Sequence, residues 1–154
     1  MENGELIIIV NNFFKKNPPP FYSFDYGELI SNRKLKNARK LYAPYDPEKE
    51  RPILVIDDTF FKSARRGMLL TNKNLYFRFR ENFSKWHLTT QQIPLKQIFT
   101  LNIQISSNAS ILLINGKKVA SILVFGNKGF MKTESEVLNE LFILFLKSVH
   151  ENED

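Results

Sequence analysis

Residues 51–80 read RPILVIDDTFFKSARRGMLLTNKNLYFRFR, and this stretch decides the fold. In its last part, residues 75–80, apolar side chains alternate with aromatic or basic ones. Because successive side chains of a strand point to opposite faces, this period of two indicates a strand with one buried face. The other face, formed by Tyr76, Arg78 and Arg80, is predicted to be exposed.

Short strands are also predicted on both sides of residues 75–80. Asn115 and Gly116 separate two apolar runs, and this pair is typical of a type I′ hairpin turn, in which both central residues take positive φ. Residues 81–92 are ambiguous, with Trp86 and Leu88 marking a short strand. The pattern predicts about seven strands in all. Apart from the ambiguous one, they are residues 53–56, 68–71, 75–80, 99–105, 111–114 and 119–125.

Two helices are predicted before the first of these strands. Residues 5–16 place apolar side chains at helical spacing, although their β-branched run leaves a strand open. The second helix is predicted to begin at Ser31, a favourable N-cap, and to end before Pro44. Lys34 is predicted to lie at the border of its basic face. Its buried stripe is predicted to comprise Leu35, Ala38, Leu41 and Tyr42.

The last predicted element is a helix. Thr133 and Glu136 have the spacing of a capping box, which marks a helix start. The residues that follow, 137–149, are apolar over much of the helix circumference. A helix with so wide an apolar surface must be covered on more than one side, so we expect it to close the core.

Length, charge and cysteine content restrict the class of protein. A chain of 154 residues is large enough to form one domain whose core needs no disulfides or metal. It contains no cysteine, which excludes thiolate chemistry and fits a reducing compartment, so a cytoplasmic location is expected. The apolar run at residues 6–10 is too short to span a bilayer and lacks the flanks of a signal peptide. The net charge of +6 permits attraction to nucleic acid, anionic lipid or an acidic protein.

Catalytic and metal-binding patterns are poorly supported by the sequence. Asp57 and Asp58 are adjacent, so on an extended chain they point to opposite faces. The favoured interpretation is a turn in which Asp side chains accept backbone N–H groups. The two histidines, His87 and His150, have no partner at metal-ligand spacing. We therefore predict no catalytic residue, no metal site, no cofactor and no small-molecule substrate.

Two groups of basic residues are the candidate binding residues. One group lies in the loop between the first two predicted strands of residues 51–80, where converging cations would hold a phosphate-bearing ligand. The other occupies one face of the second predicted helix, within residues 29–45, a run that has no acid. A solvated surface is the alternative for both groups. The candidates are Lys62, Arg65, Arg66, Arg33, Lys36 and Lys40.

Several short motifs between residues 33 and 125 resemble those of bacterial pleckstrin homology-like (PH-like) domains. The chain departs from the family pattern at Lys62, where glycine is common, and at Arg65-Arg66, where a basic–acidic pair is usual. Both departures raise the local positive charge. The motifs, in chain order, are Lys34-Leu35-Lys36-Asn37-Ala38-Arg39, Asp57-Asp58-Thr59-Phe60, Ser63-Ala64, Gly67, Leu69-Leu70-Thr71, Leu75-Tyr76 and Ile93-Pro94-Leu95.

The resemblance implies an α+β fold of PH-like type. Such a fold is a bent antiparallel sheet, or partly open barrel, of about seven strands capped by the C-terminal helix. We expect residues 1–50 to form an N-terminal helical extension packed on the core, and residues 51–150 to form the PH-like domain.

The resemblance also implies an interaction module, an adaptor or scaffold, and not an enzyme. The expected function is to bind a protein partner or to self-associate in a bacterial-type cytoplasmic complex, through an exposed sheet edge or the aromatic segment at residues 21–26. The alternative is binding to an anionic surface, either lipid head groups or nucleic acid, through the basic loop and helix.

Overall fold

The computed structural model describes residues 4–18, 24–57, 64–80, 87–106, 109–122 and 128–151. Three helices and eight strands lie in these ranges, with short 3₁₀ turns at Gly27–Leu29 and Leu95–Gln97. The helices are α1 (Glu5–Lys16), α2 (Asn32–Leu41) and α3 (Lys128–Glu151). The strands are β1 (Phe24–Tyr26), β2 (Pro52–Asp57), β3 (Gly67–Thr71), β4 (Asn74–Arg80), β5 (Leu88–Pro94), β6 (Leu101–Ser106), β7 (Ala109–Ile114) and β8 (Lys117–Ile122).

The strands form one curled antiparallel sheet in the order β1-β2-β3-β4-β8-β7-β6, with β5 also paired to β4. Helices α1 and α3 contact each other, and α3 also packs along β6. The fold is therefore the predicted α+β fold of PH-like type, with an antiparallel sheet closed by the C-terminal helix and with an added N-terminal helix. The strand beyond the predicted seven is β1, three residues long, which pairs with β2. The domain boundary at residue 50 stays a prediction.

The sheet has two buried faces in the region of β2, β3 and β4. The inner face packs against α1 and α3 in a large apolar cluster, with Phe77, Phe79 and Phe142 among its largest side chains. The outer face packs beneath α2 in a second, smaller cluster that includes Tyr76. The prediction that Tyr76 is exposed is therefore wrong: only 1% of it is accessible, because α2 covers this part of β4.

Local backbone requirements explain two of the glycines. Asn115 and Gly116 have φ of 51° and 75°, which confirms the predicted type I′ turn between β7 and β8. At Gly67, where β3 begins, φ is 152° and a Cβ atom would collide with the carbonyl oxygen of Ile56 on the neighbouring strand. Glycine at position 67 of the PH-like pattern is thus required by the close approach of two strands.

The predicted helix ends are correct for α1 and α2 and wrong for α3. Ser31 caps α2, its Oγ accepting the backbone N–H of Lys34 at 3.4 Å. Helix α3 begins at Lys128, so Thr133 lies inside the helix and cannot be its N-cap. The segment before Thr133 contains no proline, and one interior glycine costs only about 1 kcal/mol, so the helix can begin five residues earlier.

Candidate functional site

A buried ionic cluster joins α2 to the outer face of the sheet. The Nζ atom of Lys34 lies 2.9 Å from Oδ1 of Asp25 on β1 and 3.7 Å from Oδ2 of Asp57 at the end of β2. The side chains of Lys34 and Asp57 are 7% and 0% exposed. The prediction of Lys34 as a border residue is wrong, because its ammonium group turns inwards between two carboxylates.

Asp57 also holds the end of the loop between β2 and β3. Its Oδ2 atom accepts the backbone N–H of Ala64 at 3.0 Å, and Ala64 has a φ of 50°, which is uncommon for a residue with a Cβ atom. Ala64 belongs to the same buried cluster as Ala38 of α2 and Tyr42, the C-cap residue of that helix. The turn interpretation of Asp57 is thus confirmed, whereas Asp58 lies outside the described residues.

A second polar group organises the other end of the outer face. The hydroxyl of Tyr76 donates to the carboxylate of Glu50, at 3.0 Å from Oε1 and 3.1 Å from Oε2. Thr71 donates to Oε2 of the same carboxylate at 2.7 Å and accepts the backbone N–H of Asn74, which fixes the turn between β3 and β4. Burial, followed by the bond to Glu50, raises the pKa of Tyr76.

These contacts give structural roles to much of the PH-like pattern. The motif that contains Lys34 and the motif that begins with Asp57 meet in one ionic cluster, and Thr71 and Tyr76 share Glu50. None of these side chains is an exposed group aimed at a cavity. The motifs therefore contain the residues that attach α2 to the sheet.

The predicted basic residues occupy different environments. Lys62 lies outside the described residues, Arg65 is exposed and Arg66 is half-buried. Because Ala64 packs against α2, the chain enters the Arg65-Arg66 segment beside that helix. The α2 candidates, Arg33, Lys36 and Lys40, are all exposed.

Two of these candidates line a groove on the outside of α2, here called the α2 groove. The groove has a volume of about 590 Å³. Within it the guanidinium carbon of Arg39 lies 5.3 Å from the centroid of the Tyr45 ring, a cation–π contact. Sequence reasoning did not select Arg39, although its spacing of three from Lys36 was a usable signal. The lining residues are Asn32, Leu35, Lys36, Arg39, Lys40, Pro44 and Tyr45.

A second groove, here called the β6–α3 groove, lies between the edge strand β6 and helix α3. It has a volume of about 460 Å³ and a mainly apolar surface. Phe99 and Ile143 are 68% and 67% exposed there. The ring of His150 stacks on Phe99 with centroids 5.1 Å apart, and its Nε2 atom lies 2.9 Å from the Ile98 carbonyl oxygen, to which it donates. The lining residues are Phe99, Thr100, Leu101, Asn102, Asn139, Ile143, Leu146, Lys147 and His150.

Side chains already pair with the backbone along this edge of the sheet. Asn139 of α3 forms hydrogen bonds with both backbone groups of Ile103. Its Oδ1 accepts the N–H at 2.7 Å and its Nδ2 donates to the carbonyl oxygen at 2.9 Å. Asn115 accepts the N–H groups of Phe99 and Thr100 at 2.8 and 3.1 Å. A partner in the β6–α3 groove would therefore contact mainly apolar side chains, because several backbone groups along this edge are already hydrogen-bonded.

Other kinds of site were also sought within the described ranges. No group of three or more histidine, aspartate or glutamate side chains lies close enough there to hold a metal ion. His87 is exposed just before β5. Among the same residues, no helix has the length and apolar character needed to cross a bilayer.

Comparison with known proteins gives one structural similarity. No protein-family model matches the chain, and no characterised protein matches its sequence significantly. A crystal structure of a DUF1696-family protein with a pleckstrin-homology domain, from Shewanella loihica PV-4, aligns with 74% of this chain and 94% of its own, at 20% identity and a TM-score of 0.37. The PH-like assignment of the fold rests on this chain's own strand order and helix packing.

Proposed function

We propose that the protein is a non-enzymatic interaction module that binds a protein partner through the β6–α3 groove. The observation that carries this proposal is the pair of large apolar side chains, Phe99 and Ile143, exposed on either side of one apolar groove. Clustered exposure of this kind is typical of protein-binding surfaces.

The occupant that fits the groove best is an amphipathic helix of the partner. Its α3 wall presents Asn139, Ile143, Leu146 and His150, which recur every three or four residues along about 16 Å of helix. Helices pack on such a row through apolar residues at the same spacing. A strand added to β6 would instead have to displace the bonds that Asn139 makes to Ile103.

The roles of the titratable side chains support a non-enzymatic function. Asp57 is committed to Lys34 and the Ala64 N–H, and Glu50 is committed to Tyr76 and Thr71. The His150 ring is held between Phe99 and the Ile98 carbonyl. Each of these groups thus contacts a neighbouring group of the protein, whereas a catalytic side chain would have to contact a substrate.

The test uses a fluorescent amphipathic peptide with leucine on one face and glutamine on the other, so that the probe carries no charge. We expect Ile143→Glu to weaken its binding at least about tenfold, because a carboxylate enters an apolar contact. Leu144→Glu is the matched control, since Leu144 is 48% exposed on the same helix but does not line the groove. No binding to the wild-type protein, or equal loss in both variants, would contradict the proposal. A dimer that only Ile143→Glu dissociates would identify the occupant as a second copy of the chain.

A second candidate function is binding to an anionic surface, lipid head groups or nucleic acid, through Lys62, Arg65, Arg66 and α2. What supports it is the attachment of Ala64 to α2, which brings the Arg65-Arg66 segment next to the basic helix. The variant with both arginines changed to glutamate should lose binding to phosphatidylserine vesicles or to single-stranded DNA mainly at low salt, because exposed charges act within about 8–10 Å. Unchanged binding across a salt titration would eliminate this candidate.

A further inference from the structure

We propose that the α2 groove is a docking site for an extended acidic peptide of a partner protein. This proposal is independent of the β6–α3 groove, which would bind a different, apolar element. The proposed binding residues are Lys36, Arg39, Lys40 and Tyr45.

The electrostatic argument begins with the cations of the groove. Helix α2 contains no acidic residue, and Lys36, Arg39 and Lys40 are all exposed along it. Among the described residues none of these three cations forms an ion pair, whereas Lys34 on the same helix forms two. Three cations within five residues therefore concentrate positive charge on one side of the helix.

The acids nearest to the groove are occupied elsewhere. The Oδ2 atom of Asp46 lies 3.2 Å from Nζ of Lys49, and its Oδ1 accepts the backbone N–H of Glu48. These hydrogen bonds, and to a smaller extent the charges of Lys49 and Arg39, lower the pKa of Asp46. Glu50 binds Tyr76 and Thr71. Among the described residues, Asp46 and Glu50 thus have partners of their own, and another molecule can supply the anion that the groove would bind.

The shape of the groove favours a peptide over a membrane or a nucleic acid. Its lining combines the three cations with the apolar side chains of Leu35 and Pro44 and with Tyr45. A groove with such a mixed lining accepts an apolar side chain between charged ones. A phosphate backbone or a flat head-group layer does not offer that combination.

The spacing of the cations predicts the sequence of the peptide. Lys36 and Lys40 are one helical turn apart, about 6 Å along the axis. In an extended chain, residues i and i+2 lie on the same side about 6.6–6.8 Å apart, and the residue between them points the other way. An acidic–apolar–acidic segment can thus place two carboxylates at Lys36 and Lys40, with its apolar side chain on the opposite side of the peptide.

The groove is rigid enough to bind such a segment without large ordering costs. Helix α2 is held from below by the Lys34 cluster and by the buried Ala38 and Tyr42. The cation–π contact with the Tyr45 ring restrains the guanidinium of Arg39. A cation that is already oriented loses less conformational freedom on pairing with a carboxylate than a free one does.

The experiment compares two charge-reversal variants with equal net charge. One carries Lys36→Glu and Lys40→Glu, and the control carries Lys117→Glu and Lys118→Glu, two exposed lysines on β8. The probe is a fluorescent peptide in which glutamate alternates with leucine. A second peptide with glutamine in place of glutamate reports the apolar contribution. Circular dichroism verifies that each variant is folded.

We expect the glutamate peptide to bind the wild-type protein, and the groove variant to bind it at least about tenfold more weakly than the control variant. Ile143→Glu should leave this binding unchanged, so failure here is distinguishable from failure of the β6–α3 proposal. Equal weakening in both reversal variants, or no binding to the wild type, would overturn the inference. It would also be overturned if phosphatidylserine vesicles or single-stranded DNA, and not the peptide, bound in a way that only the groove variant abolished.

Discussion

The two buried faces of the sheet are stabilised in different ways. The inner face, under α1 and α3, is packed by a large cluster of apolar side chains. The outer face, under α2, combines a few apolar residues with a lysine between two carboxylates and a tyrosine bound to a glutamate. An apolar face tolerates many combinations of similar residues, whereas a buried charge requires its own partner. The PH-like motifs contribute to both faces: Lys34, Asp57 and Tyr76 lie on the outer one, whereas Leu70, Leu75 and Leu95 belong to the inner cluster.

The first prediction tests the inner face and has the largest expected effect. Phe142 is fully buried in α3, so Phe142→Ala should lower the free energy of unfolding by about 3–5 kcal/mol. Its neighbour Ile143 is 67% exposed, so Ile143→Ala should change stability by less than about 0.5 kcal/mol. Denaturant unfolding measures both. A loss below about 1 kcal/mol for Phe142→Ala would mean that α3 does not close the core.

The second prediction tests the ionic cluster of the outer face. Lys34→Met keeps an unbranched chain of similar length but removes the cation that lies between Asp25 and the buried carboxylate of Asp57. Removing one member of a buried ion pair costs about 3 kcal/mol or more, because the remaining charge is uncompensated. Lys36→Met, an exposed change on the same helix, is the control and should be nearly neutral. Equal stability of the two variants would show that the cluster is not structural.

The third and fourth predictions compare two of the buried tyrosines of the outer face, beginning with Tyr76. Tyr76→Phe removes the hydroxyl that donates to Glu50. A hydrogen bond to a charged group contributes about 1.5–3 kcal/mol, so the variant should unfold at a correspondingly lower denaturant concentration. A change within the error of the measurement would mean that Glu50 is satisfied by solvent instead.

The fourth prediction concerns Tyr42 and has the smallest expected effect. Its buried hydroxyl has no hydrogen-bond partner among the described residues, so Tyr42→Phe should be neutral or stabilising by up to about 1 kcal/mol at pH 7. Burial, then the charge of Asp57, raises the pKa of Tyr42 above its ordinary value of 10.0. Above that pH the unfolded chain loses a proton that the folded protein retains, so stability falls as the pH rises. Tyr42→Phe should reduce this loss of stability at alkaline pH. If the free energy of unfolding of the variant depended on pH as that of the wild-type protein does, the raised pKa of Tyr42 would be contradicted.

The same contrast explains how much could be predicted from the sequence. The inner face follows periodicity: helix α1 and the buried side chains Leu75, Phe77 and Phe79 of β4 were predicted correctly because apolar spacing alone defines them. The outer face does not, because a lysine on a basic helix looks the same in sequence whether it faces water or a carboxylate. The predictions for Lys34, at the border of a basic face, and for Tyr76, on an exposed face, were therefore both wrong, because both side chains are buried.

The candidate sites were predictable to a smaller extent. The basic face of α2 follows from residue spacing, but the α2 groove also needs Tyr45, which lies after the helix and meets Arg39 only in the folded chain. Asn139 gave no signal, since a polar residue on an apolar helix reveals nothing about the strand that it will bond. Contacts between residues distant in the chain were the missing information in each case.

The most direct test of the structural role of the PH-like motifs is a double-mutant cycle between Lys34 and Asp57. The stabilities of Lys34→Met, Asp57→Asn and the double variant are compared with that of the wild-type protein by denaturant unfolding. If the two motifs meet in a buried ion pair, the double variant should be more stable than the sum of the single losses predicts, by about 1–3 kcal/mol. Additive losses, with a coupling energy below about 0.5 kcal/mol, would contradict the claim that these motifs fasten α2 to the sheet.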